Sequence, residues 1–172
     1  MLYDNFVVEA LQASAAPPAL AGDDTIVTPT GCSTDFAFAT TEDVTVGAVV
    51  ATTSDGSAAP GVTVTSGSLQ VSLDAPLSHG VWLRLDVDVT GQASGQSATL
   101  TVFLAYQGLD INGDGRTNIS DATAFGAEFN GGKDPNLIDI NCDGVVNVQD
   151  ATAFGNLFFD ITGTVLDEAD KP

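Results

Sequence analysis

Two stretches of the chain carry oxygen side chains at a metal-ligand spacing. The first is Asp110-Ile111-Asn112-Gly113-Asp114-Gly115-Arg116-Thr117-Asn118-Ile119-Ser120-Asp121. The second is Asp139-Ile140-Asn141-Cys142-Asp143-Gly144-Val145-Val146-Asn147-Val148-Gln149-Asp150. Each places oxygen donors at positions one, three, five, nine and twelve, with a main-chain carbonyl available at position seven. Each has glycine at position six, where such a loop turns sharply. Calcium is a hard cation that takes six to eight oxygens, and this is the donor set it needs. The expected ligands are Asp110, Asn112, Asp114, the Arg116 carbonyl, Asn118 and Asp121 for one ion. For a second ion they are Asp139, Asn141, Asp143, the Val145 carbonyl, Asn147 and Asp150. Position twelve is Asp rather than the Glu of an EF-hand, so the following helix must sit closer to the ion. An Asp/Asn/Gly-rich surface loop without metal is the plain alternative for one such stretch. Two stretches with the same spacing argue against it.

The elements that would hold these loops differ on either side of Gln107-Gly108. After that point each loop leads into a short Ala/Phe-rich helical segment, Ala122 to Phe129 and Ala151 to Phe159. The string Asp-Ala-Thr-Ala-Phe-Gly recurs, and the loops start 29 residues apart, at 110 and 139. Such fidelity marks two homologous units packed together. Phe125 with Phe129, and Phe154 with Phe158, fall on one helical face and are expected to pack against each other. Gly131-Gly132 and Pro135 break the chain between repeats.

Before Gln107 the chain is rich in Val, Thr, Ala, Ser and Gly. Val81 to Val89 alternates, with Val81, Leu83, Leu85, Val87 and Val89 on one face and Trp82, Arg84, Asp86 and Asp88 on the other. Leu100-Val102-Leu104-Tyr106, Leu69-Val71-Leu73 and Val62-Val64 repeat that pattern, and Phe36-Phe38 and Val44-Val46 begin other strands. Gly, Ser, Asp and Pro turns separate them, so this part reads as a small β-sandwich. Phe6 to Leu11 fits a strand or a short helix. Ala13 to Ala21, with Pro17-Pro18, reads as an extended linker.

At this point residues 110 to about 160 resemble a dockerin, the duplicated calcium-loop-plus-helix module of cellulosomes and other secreted proteins. Dockerins have no helix before each loop, and none is evident here. The resemblance covers about a third of the chain. It implies a module that binds a cohesin, a β-sandwich receptor, through helix faces near the loop ends. The two residues before the last ligand often decide partner choice in that family; here they are Ile119-Ser120 and Val148-Gln149. Their difference between repeats argues against symmetric two-way docking. The first part more weakly resembles the cohesin-like or Ig-like sandwich that often precedes such modules.

The expected architecture is therefore a mainly β sandwich over residues 1–107, a small α-helical dockerin-like module with two EF-hand-like calcium loops over 108–160, and a tail over 161–172. The expected function is non-catalytic: calcium-dependent protein assembly on a cohesin-like partner. The alternative is a structural subunit that polymerises with copies of itself into an extracellular filament or surface layer. A carbohydrate-binding sandwich on a dockerin is a third reading, and Trp82 could be a sugar platform or an interface anchor. Packing of Trp82 beneath a loop or against Arg84 is its plain alternative.

Global properties bound these readings. The 172 residues carry 23 acidic and 4 basic side chains, a formal charge of −19. Such a charge opposes binding to nucleic acid or an anionic membrane surface. No apolar run is long enough to span a bilayer. Met1 to Asn5 shows no leader pattern. Sites of this kind need a calcium-rich medium, so a secreted or cell-surface setting is expected. The two cysteines, Cys32 and Cys142, could pair with each other, stay free or bond between subunits. His79 follows Pro76-Leu77-Ser78 with no Ser or Cys arrangement around it, so it reads as a surface turn residue rather than a base. Asp86 and Asp88 read as a solvated strand face.

Overall fold

The computed structural model describes residues 15–172. The Phe6 to Leu11 segment, and residues 13 and 14 of the expected linker, lie outside them. The described residues are mostly β, with seven strands in two sheets and three short α-helices. The strands are β1 (Thr25–Thr28), β2 (Asp35–Phe38), β3 (Val44–Thr53), β4 (Val62–Thr65), β5 (Leu69–Leu73), β6 (Trp82–Gly91) and β7 (Ser97–Tyr106). One sheet has the order β1-β7-β6-β3 and the other β2-β5-β4. All pairs are antiparallel except β1, which runs parallel to β7 and places Ile26 opposite Leu104.

The alternation along each strand explains the layering. Leu83, Leu85, Val87 and Val89 of β6 and Leu100, Val102 and Leu104 of β7 turn to the same side. They share one core with Phe36 and Phe38 of β2 and Leu69, Val71 and Leu73 of β5. The two sheets thus bury their apolar faces against each other. The segment before β1 is not a free linker: Leu20 bridges Thr40, and Ala21 N–H donates to the Ala39 carbonyl at 2.8 Å.

The helices are α1 (Ile119–Asn130), α2 (Pro135–Ile138) and α3 (Val148–Ile161). Pro135 does break the chain, yet it also opens a helix: Pro is tolerated at the first helical position and Asp134 caps it. A second core forms here from Leu109, Ile111, Phe125, Ile138, Phe154 and Ile161. Phe125 and Phe154 stack across the repeat with ring centroids 4.3 Å apart, and Phe129 and Phe158 extend the stack. Among the described residues, no helix is long and apolar enough to cross a membrane.

Candidate functional site

The two acidic loops share most of their internal hydrogen bonds. Asp110 is nearly buried; its carboxylate accepts from Asp114 N–H at 3.0 Å and Gly115 N–H at 2.8 Å. Asp139 accepts the equivalent bonds from Asp143 and Gly144, at 3.2 and 2.9 Å. Asn112 and Asn141 each accept the N–H two residues on. Asp114 accepts from Arg116 N–H, and Asp143 from Val145 N–H. These turns exist because short Asx side chains bond the backbone two residues ahead. Gly115 and Gly144 at position six have φ of +78° and +80°, a left-handed backbone that glycine adopts without a Cβ clash.

Position twelve closes each loop onto its helix. Asp121 and Asp150 are fully buried. Asp121 accepts from Asn112 N–H at 3.2 Å and Asn118 N–H at 2.8 Å, tying position three to position nine. Asp150 binds Ile140, Asn141 and Asn147 N–H. Asn118 and Asn147 are the helix N-caps, accepting from Ser120 and Gln149 N–H. Each helix therefore starts three residues before the Ala-rich segment that suggests it, through a capping box built of two expected ligands.

The carboxylates of the first loop feel one another. Burial pushes the Asp110 carboxyl up, the N–H bonds from Gly115 and Asp114 hold it down, and the charges of Asp121 and Asp114 add to the upward push. Among the described residues, no three Asp, Glu, His or Cys side chains form a ready-made metal cluster. Several donors are turned onto one another instead: the Asn112 and Asn141 amides donate to Asp114 and Asp143, and Asn147 donates to the Val145 carbonyl. By chemistry the donor set suits a hard cation, with three carboxylates, two amide oxygens and a carbonyl per loop.

Ile119 and Val148 are each 72% exposed, and Ser120 and Gln149 beside them are also exposed. The sequence offers no warning that Phe159 stands 85% exposed at the end of α3.

Cys32, between β1 and β2, is bonded to Cys142 at position four of the second loop. Cys142 has φ +61°, where the first loop has Gly113 at +72°. The exchange of Gly for Cys at one position of the repeat is the sequence signal for that link.

His79 is half-buried at the junction of the sheets and the helices. Its Nδ1 accepts from Gly108 N–H at 2.8 Å, and Nε2 lies 3.1 Å from Thr164 Oγ1. Burial pushes its pKa down. Beside it, fully buried Gln107 donates to Thr117 Oγ1 and Thr164 Oγ1. Thr117 Oγ1 donates to the Gly108 carbonyl. Gly108 is closely packed: a Cβ there would lie 2.9 Å from Tyr106 Oη and 3.0 Å from both His79 Nδ1 and Ile161 Cδ1, so these side chains would have to shift to admit one. His79 is thus a joint residue and not a free surface turn.

Trp82 is 1% exposed. It is covered by the segment after α3, so the sugar-platform reading loses its residue. Asp86 pairs with Arg84 at 3.0 Å and accepts from Thr101 Oγ1, which with Arg84 holds its carboxyl below the usual range. Asp88 accepts from Thr99. Neither is arranged as an acid–base pair.

No protein-family model matches the chain, and no curated protein sequence matches it.

Proposed function

We propose that the chain is a non-catalytic assembly protein whose helical part is a dockerin-like module loaded with two calcium ions. The observation that carries this reading is the identity of the two acidic loops. Five Asx side chains recur at the same positions, with the same turns and the same buried position-twelve aspartate. Calcium would be held by Asp110, Asn112, Asp114, the Arg116 carbonyl, Asn118 and Asp121, and by their counterparts from Asp139 to Asp150. Bound there, it supplies charge neutralisation and a fixed loop shape. The Asn112 and Asn141 amide contacts to Asp114 and Asp143 must give way as it enters.

The protein's own residues do the rest. The capping boxes lock the start of α1 and α3 to the loops, and the Phe125–Phe154 stack locks the helices to each other. That presents Ile119 and Val148, both apolar and both 72% exposed, at matching places of the two repeats. Exposed apolar residues on a rigid scaffold suit a protein partner. The partner proposed is a cohesin-like β-sandwich in an extracellular setting. Different neighbours, Ser120 and Gln149, make the two faces unequal.

Isothermal titration calorimetry should find two calcium sites per chain. Stripping the ions should reduce helical circular dichroism, because three carboxylates per loop then face one another and metal-binding energy is folding energy. Heat-silent titration with an unchanged spectrum in chelator would sink the reading. Ile119→Asp with Val148→Asp should abolish capture of a cohesin-like partner and keep both ions. Negative-stain microscopy with calcium decides between a monodisperse module and a filament subunit.

A further inference from the structure

Residues 163–172 do more than end the helical unit. The chain turns at Gly163, whose N–H donates to the Thr117 carbonyl at 2.7 Å. Thr117 N–H donates to the Thr164 carbonyl at 3.1 Å, and Leu166 N–H to the Gly115 carbonyl at 3.0 Å. Arg116 and Val165 form the antiparallel bridge between them. Positions six to eight of the first loop are therefore one edge of a short two-stranded ribbon. Among the described residues, no main-chain hydrogen bond joins Gly144, Val145 or Val146 of the second loop to the tail.

The other edge of that ribbon runs on across the outer face of the four-stranded sheet. Leu166 is buried against Trp82 and Ala105. Trp82 Nε1–H donates to the Asp167 carbonyl at 2.8 Å. Lys171 Nζ sits 4.8 Å from the Trp82 ring and 4.9 Å from the Phe103 ring, a cation over two aromatic faces. Arg84 donates to the Pro172 main-chain oxygen at 3.2 Å. The tail thus covers an aromatic surface that the strand pattern alone would leave on the solvent side.

We infer that residues 163–172 are a calcium-dependent cover over Trp82 and Phe103, held shut by the ordered first loop and released when that loop loses its ion. This rests on the calcium reading. The ribbon needs the main-chain groups of Gly115 and Thr117 in one fixed arrangement, with Gly115 left-handed, which the closed loop imposes. Three uncompensated carboxylates at Asp110, Asp114 and Asp121 spread the loop and break the register that Thr117 and Gly115 offer to the tail. Loss of calcium from the first loop is thereby coupled to exposure of a face on the sheets, and its entry to covering that face. The second loop, which lacks the ribbon, lacks that coupling.

Trp82 is the only tryptophan in the chain, so its emission reads the cover directly. In the oxidised full chain, emission and acrylamide quenching would be followed during calcium loading and chelation, with calcium uptake measured in parallel by calorimetry. Ion removal should shift emission to the red and raise the quenching constant several-fold. Asp110→Ala at saturating calcium should do the same, while Asp139→Ala leaves Trp82 shielded. Deleting residues 167–172 should expose Trp82 at saturating calcium and keep two ions bound. If Asp110→Ala loses its β-sheet spectrum, wild-type chelation and the deletion decide. Two ions bound with equal quenching in loaded and stripped protein overturns the coupling while the calcium reading stands. Equal exposure in Asp110→Ala and Asp139→Ala overturns the assignment to the first loop. A chain that takes up no calcium overturns both.

Discussion

Removing the Cys32–Cys142 link tests how the second repeat is held to the sheets. The bond closes a span of 110 residues. On the chain-entropy model, cross-linking such a span destabilises the unfolded state by about 4.8 kcal/mol at 25 °C. The native state carries an opposing cost, because Cys142 sits at φ +61°. A residue with a Cβ costs roughly 1–2 kcal/mol in that left-handed conformation. Glycine avoids the cost but gives back roughly 0.4–1 kcal/mol through its freedom when unfolded. Glycine at 142 should therefore beat serine by about 0.5–1 kcal/mol. Two double variants separate the effects. C32S with C142S loses the cross-link and keeps the strain, for a deficit of about 4.8 kcal/mol, or about 10–19 °C in Tm for a chain of this size. C32S with C142G loses the cross-link and relieves the strain, for a deficit of about 4 kcal/mol. Urea unfolding and calorimetry in calcium, with wild type alongside, measure both. A serine variant within about 1 kcal/mol of wild type, the size of an ordinary substitution, would show that the link does not constrain the unfolded chain. A glycine variant no more stable than the serine variant would refute the strain argument.

Two further perturbations probe the core and the joint. Phe154→Ala empties the centre of the four-ring stack, and such a truncation costs about 3–5 kcal/mol; the helical signal should melt well before the β signal, and coincident melting at an unchanged temperature would contradict the stack's role. His79 is the only histidine, and burial lowers its folded pKa below the unfolded value of about 6.5. The unfolded chain then binds the proton more tightly, so its contribution is complete above about pH 6.5 and is lost as pH falls through that value toward the folded pKa. Protonation also removes the acceptor that Gly108 N–H uses. Tm should fall between pH 7.5 and 5.5 in wild type and stay flatter in His79→Gln; parallel profiles would refute the assignment.

The strands were legible where one face is buried by the partner sheet. Leu83-Leu85-Val87-Val89 and Leu100-Val102-Leu104 announce themselves by period two because each meets a single core. Thr25–Thr28 does not: it has four residues, only partial burial, and a parallel partner nearly eighty residues away in β7. Alternation also misplaces Trp82. It lies on the polar side of its strand, yet Leu166 and Lys171, more than eighty residues later, bury it. A pattern read along one strand cannot contain a neighbour from that distance. The turns of the two loops were legible, because local Asx turns and a glycine at position six are properties of twelve consecutive residues. Their capping role was the part left unread: Asn118 and Asp121 serve loop and helix at once.

The repeat itself supplies the strongest argument that the two halves of the helical unit are not interchangeable. Their loops share donors, turns and buried aspartates, so a duplicated unit would by default respond twice in the same way. Two differences prevent that. In the first loop Thr117 is buried, bonded through Oγ1 to Gly108 and through its backbone to Gly163 and Thr164, so loop shape is transmitted to the junction and the tail. In the second loop the matching contacts are missing among the described residues, and position four is instead bolted to the sheets through Cys142. A covalent tie holds its place whether or not an ion is present. A hydrogen-bonded ribbon holds only while its backbone keeps one conformation. On the proposed calcium reading the first loop is the responsive one and the second the anchor, and single-loop variants should differ in kind rather than degree: Asp110→Ala should reorganise the sheet-facing tail, whereas Asp139→Ala should loosen α3 beside a loop that stays attached.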